Sequence, residues 1–138
     1  MDRRLIHRGE GTVTEVHRNG KEILVVDDDL DTARMFAVML RQLGHAVEYV
    51  TSPQAVVDAA RSIRPWLIFL DIGMPGLNGW ELAPILKREL GHEAVRIVAV
   101  SGYGAPEHHR RSREAGFDAH VQKPVDMTLL QSILAQIK

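Results

Sequence analysis

The chain contains no cysteine. Disulfides, thiolate metal sites and cysteine nucleophiles are excluded, and a reducing compartment is a natural setting. No apolar run approaches the roughly 18 residues that a membrane-spanning helix needs. The opening residues, MDRRLIHRGEG, lack the apolar stretch of a signal peptide. Together these absences point to the cytoplasm and away from membrane contact. A dominant charge is also missing, since 17 basic residues face 18 acidic ones for a formal net charge of -1. That balance provides no whole-molecule field to gather nucleic acid, so none is expected to bind this domain. Neither an internal repeat nor a low-complexity tract occurs.

What is present suits one domain. The 138 residues, 45% of them hydrophobic, can bury one ordinary core. Short β-branched runs alternate with amphipathic stretches. EILVVD (Glu22–Asp27) reads as a buried strand. Leu30–Leu43 follows with Ala33, Phe36, Met39, Leu40 and Leu43 at helical spacing, stopped by Gly44. Ala46–Val50 is a second strand, and Ser52-Pro53 reads as N-cap and first position of a second helix. That helix would turn Val56, Ala59, Ala60 and Ile63 inward and end at Pro65. WLIFLD (Trp66–Asp71) is a third strand whose unbroken apolar run implies helices on both faces of a parallel sheet. After the loop GMPGLNG, a helix is expected from about Trp80 to Leu90, with a local irregularity at Pro84. VRIVAV (Val95–Val100), a helix over Pro106–Ala115 closed by Gly116, a strand over Ala119–Gln122 and a last helix capped by Asp126 complete the pattern. Five strands alternating with five helices predict a doubly wound α/β fold, the parallel sheet in the common order 2-1-3-4-5.

Such sheets carry their sites at the carboxyl ends of strands. Asp27 and Asp28 close the first strand and Asp71 the third, and these strands would be neighbours. Three crowded carboxylates repel unless a cation neutralises them, and oxygen ligands suit Mg²⁺ or Mn²⁺ better than zinc. Asp29 reads as a helix cap only. The fourth strand ends at Ser101 and the fifth just before Lys123, so a hydroxyl and an ammonium join the acids at the same edge. An aspartate nucleophile, a divalent cation and two groups able to bond equatorial oxygens together describe a phosphoryl-transfer site. The histidines suggest no metal site: His108 and His109 are adjacent and diverge on a helix, and His7, His17, His45 and His92 look like surface or turn residues.

These motifs in this order resemble the response-regulator receiver domain of two-component signalling, over residues 22–138. ILVVDDD resembles the family's acidic pair at Asp27 and Asp28, and LDIGMPGLNGWEL its phosphoacceptor motif at Asp71. VSG places the hydroxyl at Ser101 and KP the lysine at Lys123. The spacings agree with the family: 71−28 is 43, 101−71 is 30 and 123−101 is 22. The resemblance implies a flavodoxin-like (βα)5 fold and phosphoryl transfer to Asp71 from a histidine kinase or a histidine phosphotransfer domain. It implies Mg²⁺ held directly by Asp28, Asp71 and the backbone carbonyl of Gly73, with Asp27 acting largely through a metal-bound water. It further implies a cis Lys123–Pro124 peptide, a signalling surface on the Pro106–Ala115 helix, the last strand and the last helix, and a possible homodimer through that face. SGYG and FDAHVQKPVD resemble receivers attached to hybrid histidine kinases, so a single-domain regulator and a hybrid-kinase receiver are both open. The chain ends directly after the last helix, which leaves no output domain in view. A small phosphohydrolase with an aspartyl-phosphate intermediate is the alternative, but Asp31 stands where its motif wants Thr or Val, and Asp71 would have no role.

The chain departs from the family at His120, where an aromatic switch residue is usual. Tyr103, two after Ser101, is positioned to slow hydrolysis of an aspartyl phosphate. PEHHRRSREA carries almost no large apolar residue and reads as a solvated, weakly held helix, with Arg110, Arg111 and Arg113 able to meet an acidic partner. Residues 1–21 stand outside the pattern and read as a flexible linker, or else as a strand or helix docked on the domain or on a neighbour.

Overall fold

The computed structural model describes residues 22–102 and 113–137, and the backbone of 6–8. Within these bounds the strands are β1 (Ile6–Arg8), β2 (Glu22–Val26), β3 (Ala46–Val50), β4 (Leu67–Asp71), β5 (Arg96–Ser101) and β6 (Ala119–Gln122). The helices are α1 (Leu30–Gln42), α2 (Val56–Ile63), α3 (Gly79–Leu90) and α4 (Met127–Ile137), with a 3-10 turn at Pro53–Ala55 before α2.

The sheet runs β1-β3-β2-β4-β5-β6. Its five strands from β2 onward are parallel, and numbered among themselves they stand in the expected order 2-1-3-4-5. The sixth strand comes from the N-terminal segment: Ile6–Arg8 pairs antiparallel with β3, Ile6 opposite Val50 and Arg8 opposite Glu48. Of the two readings of that segment, a docked strand describes these three residues.

Alternation along each strand feeds two cores. Leu24 and Val26 of β2, Ile68 and Leu70 of β4, and Ile97 and Ala99 of β5 pack under α2 and α3. The intervening residues Ile23, Val25, Phe69, Val98 and Val100 pack under α1 and α4. β2 and β4 are buried at every position, as the unbroken apolar runs require. The inward faces of the helices follow the 3.6-residue spacing, with Ala33, Phe36, Ala37 and Leu40 on α1 and Val56, Ala59, Ala60 and Ile63 on α2. Each large side chain removed from water here contributes about 2 kcal/mol.

Local chemistry sets most ends. Asp29 caps α1, its carboxylate accepting from Thr32 N at 3.2 Å and from the Thr32 hydroxyl. Gly44 follows α1 at φ 95°, a left-handed geometry that costs a glycine little. Asp126 Oδ1 accepts from Leu129 N at 2.8 Å at the start of α4. Two boundaries differ from the sequence reading. Asn78 Oδ1 accepts from Trp80 N and Glu81 N, so α3 starts at Gly79, and it continues unbroken through Pro84. Ser52 spends its hydroxyl on Gln54 Oε1 at 2.8 Å, and Pro53 opens a 3-10 turn before α2 rather than α2 itself. Ser101 is the last residue of β5, the strand end expected from the sequence. The Pro106–Ala115 helix lies mostly outside the described residues.

Candidate functional site

The carboxyl ends of β2, β4 and β5 meet at one edge of the sheet, and register explains the convergence. β2 pairs with β4 up to Val26 opposite Leu70, which leaves Asp27 and Asp71 as the next residues of adjacent strands. Asp27 N donates to Val50 O, holding the chain in line past the end of β2. Asp71 sits opposite Val100, one residue before Ser101. On the far side, Lys123 N donates to Ser101 O at 2.7 Å, which fixes the lysine backbone beside β5. The Lys123–Pro124 peptide is cis.

Side chains then close the arrangement. Lys123 Nζ lies 2.9 Å from Asp27 Oδ2 and 3.1 Å from Asp71 Oδ2. Asp71 Oδ1 accepts from Gly73 N at 2.8 Å, and Asp27 Oδ1 from Asp29 N at 2.9 Å. Carboxylate oxygens of Asp27, Asp28 and Asp71 lie within 4.8 Å of one another, with Asp27 and Asp71 buried and Asp28 exposed. Ser101 is buried, and its Oγ lies 2.8 Å from His120 Nε2.

The lysine and its first partner shift in the same direction, for opposite reasons. Burial pushes the Asp27 carboxyl up, with the neighbouring Asp71 charge adding to it, and the bonds from Lys123 and Asp29 only partly offset this. At Lys123 burial acts downward, but the bonds to Asp27 and Asp71 outweigh it and hold the ammonium above its ordinary range. The difference follows from exposure: the Asp27 side chain is 2% exposed and that of Lys123 30%. Desolvation therefore wins at the acid and pairing wins at the base. One ammonium shared by two carboxylates leaves the cluster short of positive charge. Hard oxygen donors of this number and spacing fit a small divalent cation.

The structure thus brings Asp27, Asp28, Asp71, Ser101, Lys123 and His120 to one edge, with Gly73 on the loop that follows Asp71. Tyr103, His108, His109, Arg110 and Arg111 lie outside the described residues. Two features went unread in the sequence. One is the Ser101–His120 bond, which depends on the pairing of β5 with β6. The other is a groove of about 500 Å³ beside the site, lined by Met35, Phe36 and Met39 of α1 and by Lys123, Pro124 and Val125. Met35 on its rim is 63% exposed, more than a lone core-facing methionine would be.

Comparisons with known proteins give the family and the fold. The family model described as the response regulator receiver domain matches residues 23–135. The DNA-binding response regulator MtrA of Mycolicibacterium paratuberculosis is 32% identical over 104 residues, which are 75% of this chain and 45% of MtrA. The chain therefore spans just under half the length of that relative. Among solved structures, the chemotaxis protein CheY4 of Vibrio cholerae superposes with a TM-score of 0.79 at 21% identity, over 87% of this chain and all of that one. A Burkholderia pseudomallei response regulator solved with a phosphorylated aspartic acid, calcium ion and citrate gives a TM-score of 0.75 at 25% identity, over 86% of this chain and 66% of that one.

Proposed function

This chain belongs to the response regulator receiver domain family, and from that premise we propose that Asp71 accepts a phosphoryl group from a phosphohistidine. Domains of this family are in general signalling modules rather than enzymes, and they typically bind Mg²⁺ in an acidic pocket. The observation that carries the reading is the sharing of Lys123 between Asp27 and Asp71 at the end of the sheet where Ser101 also lies.

In the transfer, an Asp71 carboxylate oxygen forms a bond to phosphorus while the phosphorus–nitrogen bond to the donor imidazole breaks. The released imidazole takes up a proton from solvent. Lys123, already bonded to Asp71, donates to the phosphoryl oxygens as charge spreads over them, and the Ser101 hydroxyl does the same. Mg²⁺ or Mn²⁺, held by Asp27, Asp28, Asp71 and the Gly73 carbonyl, would supply charge neutralisation between attacking and transferring oxygens.

The donor is a histidine kinase or a histidine phosphotransfer domain. The apolar groove beside Lys123 offers such a partner a landing surface on α1 within reach of Asp71. Phosphorylation draws Ser101 toward the phosphoryl group and biases the face formed by the segment after Ser101, by β6 and by α4, which is also the surface for a homodimer. Residues 22–138 act as the receiver and 1–21 as its extension. The domain works in the cytoplasm, without nucleic acid or membrane contact of its own, either as a single-domain regulator or within a hybrid histidine kinase. No described helix is long and apolar enough to cross a membrane.

Acetyl phosphate with Mg²⁺, followed by intact mass, tests the reading. A phosphoryl adduct is expected on the parent and not on Asp71→Asn. No adduct with any phosphodonor, or catalytic turnover of a generic phosphate ester, would refute it.

A further inference from the structure

The outer edge of β3 is covered by the N-terminal segment of the same chain. Ile6 stands opposite Val50, His7 opposite Tyr49 and Arg8 opposite Glu48, antiparallel. On its inner side Val50 stands opposite Val26, the residue before Asp27. Ile6, Val50 and Val26 therefore form one row across three strands, a single residue short of Asp27. Val50 O accepts from Asp27 N at 3.1 Å, so Val50 turns its main-chain groups toward β2. Tyr49, one residue earlier, turns its N–H and C=O the other way, toward β1. His7 and Tyr49 are then the hydrogen-bonded pair that exchanges both bonds, and the N–H groups of Ile6 and Arg8 face away from β3.

We propose that this strand is a positioning element for the acid cluster. Its docking on β3 raises the affinity of Asp27, Asp28 and Asp71 for a divalent cation, and the bound cation in turn holds the strand in place. This rests on the reading of those acids as a divalent-cation site. The link is the bond from Asp27 N to Val50 O, which holds the Asp27 main chain past the end of β2. With His7 bonded to Tyr49, β3 is a central strand and Val50 is braced from both sides. Without that bond β3 becomes the edge, where main-chain openings cost least, and Asp27 is less firmly placed. A small divalent cation demands one ligand geometry and so favours the braced state. The two events stabilise each other by the same factor in each direction.

The energetics suit a coupled element. Two main-chain bonds against the ordering of three residues leave docking near balance, where a modest coupling shows. Residues 9–21, thirteen in all, join Arg8 to Glu22 and span at most about 40 Å when extended. β1 and β2 lie two strand spacings apart, about 10 Å. The segment thus reaches its own β3 with length to spare. Its effective concentration there is near millimolar, which a second copy does not match in dilute solution.

The test uses the full chain, Mg²⁺ as the probe and two variants at one position. His7→Pro lacks the N–H that donates to Tyr49 O, whereas His7→Ala keeps it. The family model begins at residue 23, so His7→Pro is expected to fold. Calorimetry should find Mg²⁺ bound about fivefold more weakly by His7→Pro than by the parent, and equally by His7→Ala. Reciprocally, saturating Mg²⁺ should slow hydrogen exchange of the Tyr49 amide about fivefold in the parent and not in His7→Pro. A strand that merely stabilises the fold would lower the urea midpoint and move neither quantity. Equal Mg²⁺ affinity in the parent and His7→Pro overturns the proposal, as does a Tyr49 amide indifferent to Mg²⁺. Equal weakening in both variants also overturns it, by assigning the effect to something other than the main-chain bond. If His7→Pro does not fold, Tyr49 exchange in the parent decides alone. Mg²⁺ binding untouched by His7→Pro sinks only the role of the strand, whereas no Mg²⁺ binding by the parent sinks the cation site as well.

Discussion

Lys87 on α3 buries its ammonium 2.8 Å from Asp118 Oδ2, just before β6. The same nitrogen donates to Val95 O at 2.8 Å, and Asp118 Oδ2 also accepts from Ile97 N at 2.7 Å. One ion pair thereby ties a helix to two strands at the end of the sheet away from Asp71. Lys87 is 6% exposed, and removing one partner of a buried pair leaves the other uncompensated. Lys87→Met should lower stability by about 2–3 kcal/mol in urea unfolding. Labelling of Asp71 by acetyl phosphate should be unaffected, and an unchanged urea midpoint would contradict the structural role.

Lys123→Met removes the ammonium bonded to both Asp27 and Asp71. Two neighbouring carboxylates then repel without relief. The variant should lose about 2 kcal/mol in the absence of divalent cation. Mg²⁺ should restore more thermal stability to it than to the parent, because binding to the native state adds RT ln(1 + [L]/Kd). Phosphoryl labelling should fall at least tenfold. Equal Mg²⁺-dependent shifts in the two proteins would show that Lys123 does not balance these acids.

Gly79, the first residue of α3, packs closely against Ile72, the residue after Asp71. A Cβ there would lie 2.7 Å from Ile72 Cγ2 and 3.3 Å from Ile72 Cα. Ile72 is β-branched and its side chain has little freedom to turn aside, so Gly79→Ala should press on the residue between Asp71 and Gly73. A loss of about 1–3 kcal/mol is expected, in the range of overpacked cores. Calorimetry should find weaker Mg²⁺ binding as well. A variant with parental stability and Mg²⁺ affinity would show that the loop yields freely.

Asp29 titrates below the ordinary carboxylate range, chiefly because the Thr32 hydroxyl donates to it, with the Thr32 backbone N–H adding to the effect. A lowered folded-state value means stability that is present above the unfolded-state value and lost as pH falls through the folded one. Asp29→Ala should therefore melt below the parent at neutral pH. The gap should close as pH falls below about 4, the ordinary aspartate range. A gap that persists at pH 2 would assign the effect to something other than the charged cap.

Much of the site was legible because strand ends in a parallel sheet share an edge. An apolar run that stops at Asp27, another that stops at Asp71, and Ser101 and Lys123 after two more are positions a linear reading can place. The caps at Asp29 and Asp126 were legible for the same local reason, since a cap and its helix are three residues apart. Asn78 was missed although it is equally local, because GMPGLNG offers several turn residues and only the fold chooses among them.

The linear order of residues by itself determined the alternation of strands and helices, the two-faced burial of β2 and β4, and the grouping of acids, hydroxyl and lysine at one edge. Each follows from periodicity or from the rule that parallel strands end together. Tertiary structure alone decided that Lys123 bridges Asp27 and Asp71, that His120 reaches Ser101, that Lys87 is buried on Asp118, and that Ile6–Arg8 pairs with β3. Such contacts join residues 19 to 96 positions apart, or pair a free strand edge with a segment that has no strong pattern of its own. Their geometry is set by register and packing of the whole sheet, which no local window of sequence contains.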